Sequence, residues 1–353
     1  MIYNSLKIKN FRGIKSLELN DLKRINILVG KNNCGKTSII EAILLLSSYS
    51  NPSISFFINN TRGILLTSDE DFKYNFKDFD FSSKIIFEGS TINNNINKLE
   101  IIPTREISIP VIQNVIKEKE QIIHKDISIG QQNFMNSVVS GIQLIYKIGE
   151  QDFNFQLSLT RPTISFPVKE GIKIGYIHPK EGIHEIIQII GDLKIKKELE
   201  GIVSVMKKIE PRIESIEIGA GNLIYADIGL KELSPVNIMG DGLIRTMSVL
   251  AHIGRVKGGV LLIDEIENGL HYSSMKNLWH GIIETTKKYD VQVIATTHSY
   301  ECIEYLADIY SEIEPDMDDI RMYRIEKIDN IHKAFSSSIE VLRAGIERNF
   351  ELR

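Results

Sequence analysis

Several stretches of this chain place side chains at spacings suited to phosphate chemistry. Gly30, Gly35, Lys36 and Thr37 fit the pattern G-x-x-x-x-G-K-[ST] within Gly30-Lys31-Asn32-Asn33-Cys34-Gly35-Lys36-Thr37-Ser38. Glycines there let successive backbone N–H groups curl inward onto phosphate oxygens, and the lysine adds a point charge at the β/γ-phosphates. The hydroxyl of Thr37 suits an Mg²⁺ ligand, and Asn32, Asn33, Cys34 and Ser38 complete the nucleotide-binding loop. Downstream, Asp264 and Glu265 close the apolar run Val260-Leu261-Leu262-Ile263. Asp264 is placed to hold the Mg²⁺ shell, and Glu265 to orient or deprotonate an attacking water. A second apolar run ends in Thr296-Thr297-His298, which puts His298 beside the γ-phosphate. Gly240-Asp241-Gly242 opens a stretch of helical spacing; Asp241 reads plainly as an N-cap, while a glycine-lined helix start also suits a phosphate arriving from outside.

Such residues need elements to hold them. Ile25-Asn26-Ile27-Leu28-Val29 reads as a buried strand, and Lys36 to Ser48 as a helix whose positive dipole end meets the same anion. Ahead of them, residues 2–9 and 14–19 alternate around Asn10-Phe11-Arg12-Gly13, a hairpin leading into the phosphate loop. Four apolar residues before Asp264 suit a central parallel strand, whose carboxyl end is where open α/β sheets bind ligands. Asn268-Gly269-Leu270-His271 should be a loop before a helix from Ser273 to Lys288. Ile320–Ile328 reads as a strand and Ser338–Arg348 as a helix. Residues 53–229 are the least legible: strand-like segments at 84–88 and 153–159, a loop at Asn93-Asn94-Asn95, and charged helical spacing over 181–209 before Pro211. They read as a β/helical region inserted into a single domain spanning 1–353, whose nucleotide-binding core is 1–52 and 230–353.

Composition narrows the class. The 353 residues hold 42 basic and 46 acidic side chains, a net charge of −4, which argues against a strongly basic nucleic-acid module. Two cysteines far apart, Cys34 and Cys302, make no disulfide framework and point to a reduced, cytoplasmic setting. No apolar run reaches the ~18 residues that span a bilayer, so no membrane partner is expected.

The order of motifs resembles the ATP-binding-cassette (ABC) ATPases of the SMC and repair type, and most closely the ATPase part of the OLD (overcoming lysogenisation defect) family. The residues that carry this resemblance are Asn10-Phe11-Arg12-Gly13, the phosphate loop, Gly240-Asp241-Gly242, Ile263 to His271, and Thr296 to Ser299. It implies an α/β P-loop NTPase fold, an ABC-ATPase head with an N-terminal antiparallel β region. It further implies ATP and Mg²⁺ as cofactors and a head-to-tail homodimer in which Gly240, Asp241 and Gly242 face the partner's nucleotide. Glu265 would be the catalytic base, His298 the γ-phosphate sensor and Lys36 the phosphate lysine. Arg12 would lie near the nucleotide, while Asn268 to His271 would cross the dimer seam.

The chain departs from that family in places. Met239 stands where a serine usually precedes the signature glycine, and Cys34 where a serine or alanine is usual. The glutamine loop has only Gln131 and Gln132 as candidates. OLD nucleases continue into a metal-binding Toprim domain, for which residues 299–353 are too few. The expectation is therefore an ATPase that dimerises on ATP and regulates a separate effector, a Toprim-like nuclease or toxin, in bacterial antiphage defence. The alternative is a DNA-binding repair ATPase, for which Lys194, Lys196, Lys197, Lys207 and Lys208 are the candidate basic stripe. A third reading is a scaffold that binds ATP and hardly turns it over.

Overall fold

The computed structural model describes residues 2–107, 137–160, 171–313 and 318–347; Gln131 and Gln132 lie outside them. Alternation at the N-terminus produces strands β1 (Tyr3–Phe11) and β2 (Ile14–Asn20), antiparallel with Phe11 opposite Ile14. The fully buried run Ile25–Val29 is β3, and the phosphate loop leads from it into helix α1 (Lys36–Ser47). A short helix, α2 (Ile54–Asn60), follows.

Strands β4 (Ile85–Thr91), β5 (Ile96–Ile107), β6 (Ser137–Ile148) and β7 (Gln151–Leu157) then extend the sheet that β1 and β2 began, in the order β2-β1-β4-β5-β6-β7. The strand-like part of the expected β/helical region thus joins the N-terminal hairpin in one sheet. Strand β4 pairs along β1 from Thr91 opposite Tyr3 to Ile86 opposite Lys9, covering the edge that the N-terminal hairpin leaves open.

Strand β8 (Ile174–Ile177) is followed by α3 (Ile183–Ile195) and α4 (Leu199–Ile209), which stops before Pro211. Strands β9 (Ser215–Ile218), β10 (Ile224–Asp227) and β11 (Ser234–Pro235) make a small antiparallel sheet that delivers the chain to α5 (Asp241–Arg255). Then come β12 (Val260–Ile263), α6 (Tyr272–Tyr289), β13 (Gln292–Thr296), α7 (Tyr300–Ile313), β14 (Ile320–Ile328), β15 (Ile331–Ser338) and α8 (Ile339–Glu347).

The central sheet runs β15-β14-β3-β13-β12-β8, parallel except for β15. Two elements of it differ from the sequence reading. Strand β8 comes from within 53–229 yet pairs in register with β12, Ile177 beside Ile263, so the nucleotide core is wider than its expected boundaries. Strand β15 lies in a stretch to which the sequence reading assigned no element before Ser338.

Alternating sides of the central sheet feed two apolar cores. Ile25, Ile27, Val29, Leu261 and Ile263 pack with α3 to α8 on one face. On the other, Leu28, Val260, Leu262 and Ile294 pack with α1 and the antiparallel sheet. Helix α1 is therefore covered on nearly all sides, which is why it reads as apolar all round. The result is an α/β architecture in which a phosphate loop joins a strand of the mostly parallel central sheet to a buried helix. Among the described residues no helix is long and apolar enough to cross a membrane.

Candidate nucleotide site

The phosphate loop leaves the carboxyl end of β3 and closes on α1. Gly30 has φ 138°, and a Cβ there would meet the Ile325 carbonyl oxygen at 2.4 Å, so no other residue fits without displacing β14. Gly35 caps α1 at φ 98°, and Asn33 also sits in the left-handed region at 63°. The Lys36 ammonium is buried and donates to the Gly30 carbonyl at 2.8 Å and the Lys31 carbonyl at 3.0 Å, with the Cys34 sulfur 3.7 Å away. Cys34 is itself buried under the loop, its sulfur 3.0 Å from where a Cβ on Gly30 would lie.

Asp264 and Thr296 end adjacent parallel strands and meet. Asp264 Oδ1 accepts from the Thr296 hydroxyl at 2.6 Å and from the Thr37 hydroxyl at 3.3 Å. The same Thr296 oxygen accepts from the Glu265 amide at 2.8 Å. Thr296 thereby fixes both acidic residues. Glu265 takes φ 53° and projects an exposed side chain, whereas Asp264 is buried. Glu267 Oε1 accepts from the His298 amide at 2.7 Å, tying the end of β13 to the loop after β12.

A cavity of about 270 Å³ is lined by Asn32, Asn33, Gly35, Lys36, Thr37, Ser38, Arg62, Asp264, Glu265, Thr296 and His298. The structure thus gathers most of the residues singled out in the sequence. Its hard-oxygen set, one carboxylate beside one hydroxyl, suits Mg²⁺, which commonly takes its other ligands from phosphates and water. Among the described residues no cluster of three or more His, Cys, Asp or Glu side chains offers an all-protein metal cage.

Arg62 was missed, because a lone arginine after an Asn-Asn-Thr run carries no motif. It is brought in by Glu41, one turn along α1 and fully buried, which takes Arg62 Nε at 2.6 Å on one oxygen and Arg12 Nε at 2.8 Å on the other. Arg62 Nη2 also reaches the Ser38 hydroxyl at 3.3 Å. Arg12 is held behind this pair, donating to the Ile58 carbonyl at 3.3 Å, and does not line the cavity. Burial lowers the Arg12 guanidinium to about 10 while Glu41 works against the shift, so Arg12 stays charged near neutrality.

The remaining expected residues form a separate group. Gly240 stands exposed at φ 111°, with nothing within 4 Å of the place a Cβ would take. Gly240, not Asp241, is the N-cap of α5, and no side chain caps it, contrary to the plain reading of Asp241. Gly242 is pressed on the start of α6, where a Cβ would meet the Ser274 hydroxyl at 2.2 Å. Asn268 donates to the Pro179 carbonyl at 2.9 Å, and the His271 ring lies 4.1 Å from that of Tyr272. None of these residues lines the cavity that holds Lys36.

Residues 1–141 match the family model described as "AAA ATPase domain", and residues 171–304 the one described as "AAA domain, putative AbiEii toxin, Type IV TA system". The chain is a P-loop ATPase. This ATPase is 23% identical over 342 residues to an "ATP/GTP phosphatase" of Helicobacter pylori, covering 87% of this chain and 88% of the relative. It is 51% identical over 47 residues to the "DNA replication and repair protein RecF" of Oenococcus oeni, a match spanning 13% of either chain. Among solved structures, it superposes on an SMC head bound to the C-winged helix domain of ScpA with TM-score 0.49, at 14% identity, covering 96% of this chain and 99% of that one. The SMC head domain of Thermotoga maritima gives TM-score 0.47 at 11% identity, with 96% and 99% covered.

Proposed function

We propose that this ATPase hydrolyses ATP in a site completed by a second copy of the chain, and that the ATP-bound dimer regulates a separate effector, a Toprim-like nuclease or toxin, in antiphage defence. What carries the catalytic half is the strand-end constellation in which Thr296 clamps Asp264 and the Glu265 amide, leaving the Glu265 carboxylate exposed at the rim of the cavity. Lys36 would release its loop carbonyls for the β/γ-phosphates. Thr37 and Asp264 would hold Mg²⁺, which when bound neutralises charge developing on the phosphates. Glu265 would take the proton of the attacking water, and His298 would face the γ-phosphate.

The dimer is supported by the division of the expected residues between two places. A bare, uncapped helix start at Gly240 to Gly242 is an anion site that its own cavity does not use, and a second copy's triphosphate is the ligand whose chemistry fits it. The effector is supported by the toxin-associated description of the family model over 171–304. The DNA-repair reading draws on the short match to RecF. Against it, Lys194 pairs with Glu217, and Lys208 with Glu284 at 2.8 Å, so the candidate basic stripe is interleaved with acid.

Glu265→Gln tests the reading. ATP binding should persist, turnover should fall by about 10²–10⁴-fold, and an ATP-dependent dimer should accumulate on a sizing column. Turnover at the wild-type rate would remove Glu265 from the role of base. A nuclease or toxin recovered with Glu265→Gln plus ATP, and lost with Lys36→Ala, supports the effector. Salt-sensitive DNA binding by the lone chain would favour repair instead.

A further inference from the structure

The central sheet ends at β8, which among the described residues pairs only with β12. In a parallel ladder, alternate residues of a strand direct their N–H and C=O groups to opposite edges. The Val260 amide donates to the Lys173 carbonyl at 2.9 Å and the Asp264 amide to the Ile177 carbonyl at 2.9 Å, so residues 173, 175 and 177 face β12. Ile174 and Tyr176 therefore turn both of their backbone groups the other way. Among the described residues nothing bonds to them there.

A groove of about 470 Å³ follows this edge, and Ile172, Ile174, Gly175 and Tyr176 all line it. Successive strand residues point to opposite faces, so neighbours that line one groove make the strand's edge its floor. The two walls differ. On the side of Ile174 and Tyr176 stand Leu44 of α1 and Ile54 and Phe57 of α2, with the Phe57 and Tyr176 rings edge to face at 6.2 Å. On the side of Gly175, α3 and α5 supply Glu185, Ile189, His252 and Arg255. Phe57 is 37% exposed, and the exposed Glu185 and Arg255 form no ion pair among the described residues.

An unpaired strand edge set between two layers of helices has the shape of a slot for one more strand, whose main chain supplies the missing hydrogen bonds. The walls dictate its side chains. Residues facing Leu44, Ile54 and Phe57 must be apolar. Those between them face α3 and α5, where a basic residue complements Glu185 and an acidic one Arg255. We propose that β8 is a docking edge for an extended segment of another protein, which joins the six-stranded sheet as a further strand with apolar and charged residues in alternation. The four residues of β8 offer about 13 Å of edge at ~3.3 Å per residue, so the contact is short and rests on main-chain pairing and the Phe57 wall. The groove shares no lining residue with the nucleotide cavity, and the proposal is independent of the dimer.

The test uses the full chain without ATP and two end-blocked, dye-labelled peptides, Val-Lys-Ile-Glu-Val and Val-Glu-Ile-Lys-Val, which cover both strand directions. Fluorescence anisotropy should show one of them binding, and methylating its central backbone nitrogens should weaken binding by roughly tenfold or more. Hydrogen exchange of the Ile174 and Tyr176 amides should slow when that peptide is added. Ile174→Pro removes a donor that faces the groove and no bond to β12, a change that edge strands tolerate. It should weaken the peptide by roughly tenfold while ATP affinity stays within about twofold. Glu185→Lys should weaken the same peptide about two- to fivefold, and exchanging the peptide's lysine for glutamate should restore it. Should thermal unfolding show that Ile174→Pro is misfolded, Glu185→Lys and the methylated peptide still decide. Failure of both peptides to bind, binding indifferent to methylation and to Glu185→Lys, or Ile174 and Tyr176 amides already slow in the free chain would each overturn the proposal. An ATP-free dimer that protects those amides and is lost with Ile174→Pro would overturn it too, by giving the edge to a second copy.

Discussion

Glu41 shows how much can hang on one buried side chain. It is fully buried one turn past the phosphate loop, and its carboxylate compensates two guanidiniums from different parts of the chain. Glu41→Gln keeps the shape but leaves Arg12, whose side chain is only 8% exposed, with an uncompensated charge. The expected loss is about 3 kcal/mol of stability, read from urea unfolding, with ATP affinity reduced as Arg62 leaves the cavity wall. Unchanged unfolding would mean that water already compensates Arg12. His332 makes a residue-scale prediction of the opposite kind. Burial, helped by Lys327 and Lys77, holds its imidazole below the usual 6.5. The unfolded chain therefore takes up that proton first as pH falls. The stability concerned is present above 6.5 and is lost between 6.5 and the lowered folded value. His332→Gln should flatten that decline when urea midpoints are compared from about pH 8 to about pH 5.

At the scale of elements, two glycines at positive φ separate clash from strain: a Cβ at Gly30 would strike the Ile325 carbonyl oxygen, whereas one at Gly240 would not be obstructed. Gly240→Ala meets no atom, so its cost is conformational, about 1–3 kcal/mol at φ 111°. The variant should fold and bind ATP as a monomer while its ATP-dependent dimer weakens, measured by calorimetry beside a sizing column. An unaltered dimer would show that the turn is merely a helix start. The strands and helices that make the cavity were legible because their signals are local: β3, β12 and β13 are short apolar runs ending in polar residues, and α1 follows a glycine-bounded loop. Strand β8 was not, since four residues containing a glycine look like any connector until β12 is alongside. The continuity of β4 with β1 was hidden for a related reason, as pairing across so many residues leaves no periodic mark in either strand. Arg62 was invisible because its place depends on Glu41, an acidic residue read only as part of an apolar helix.

On the scale of the whole molecule, the two apolar cores divide the work. One packs α1 and the antiparallel sheet against the central sheet, and the other packs α3 to α8, including α5, against its far side. The central sheet is the shared wall, and the cavity lies at the carboxyl ends of its strands. The order of strands in that wall also sets a schedule. Strand β3 lies between β13 and β14, neither of which exists until residues 292–296 and 320–328 have been made. A ribosome-bound chain can pair β1 with β2 early, but the strand that launches the phosphate loop stays without neighbours until late in synthesis. Gly30 cannot meet the Ile325 backbone before then either. Grip on the nucleotide is thus a late event in the birth of each molecule, and an incomplete nascent chain has no finished site to offer it.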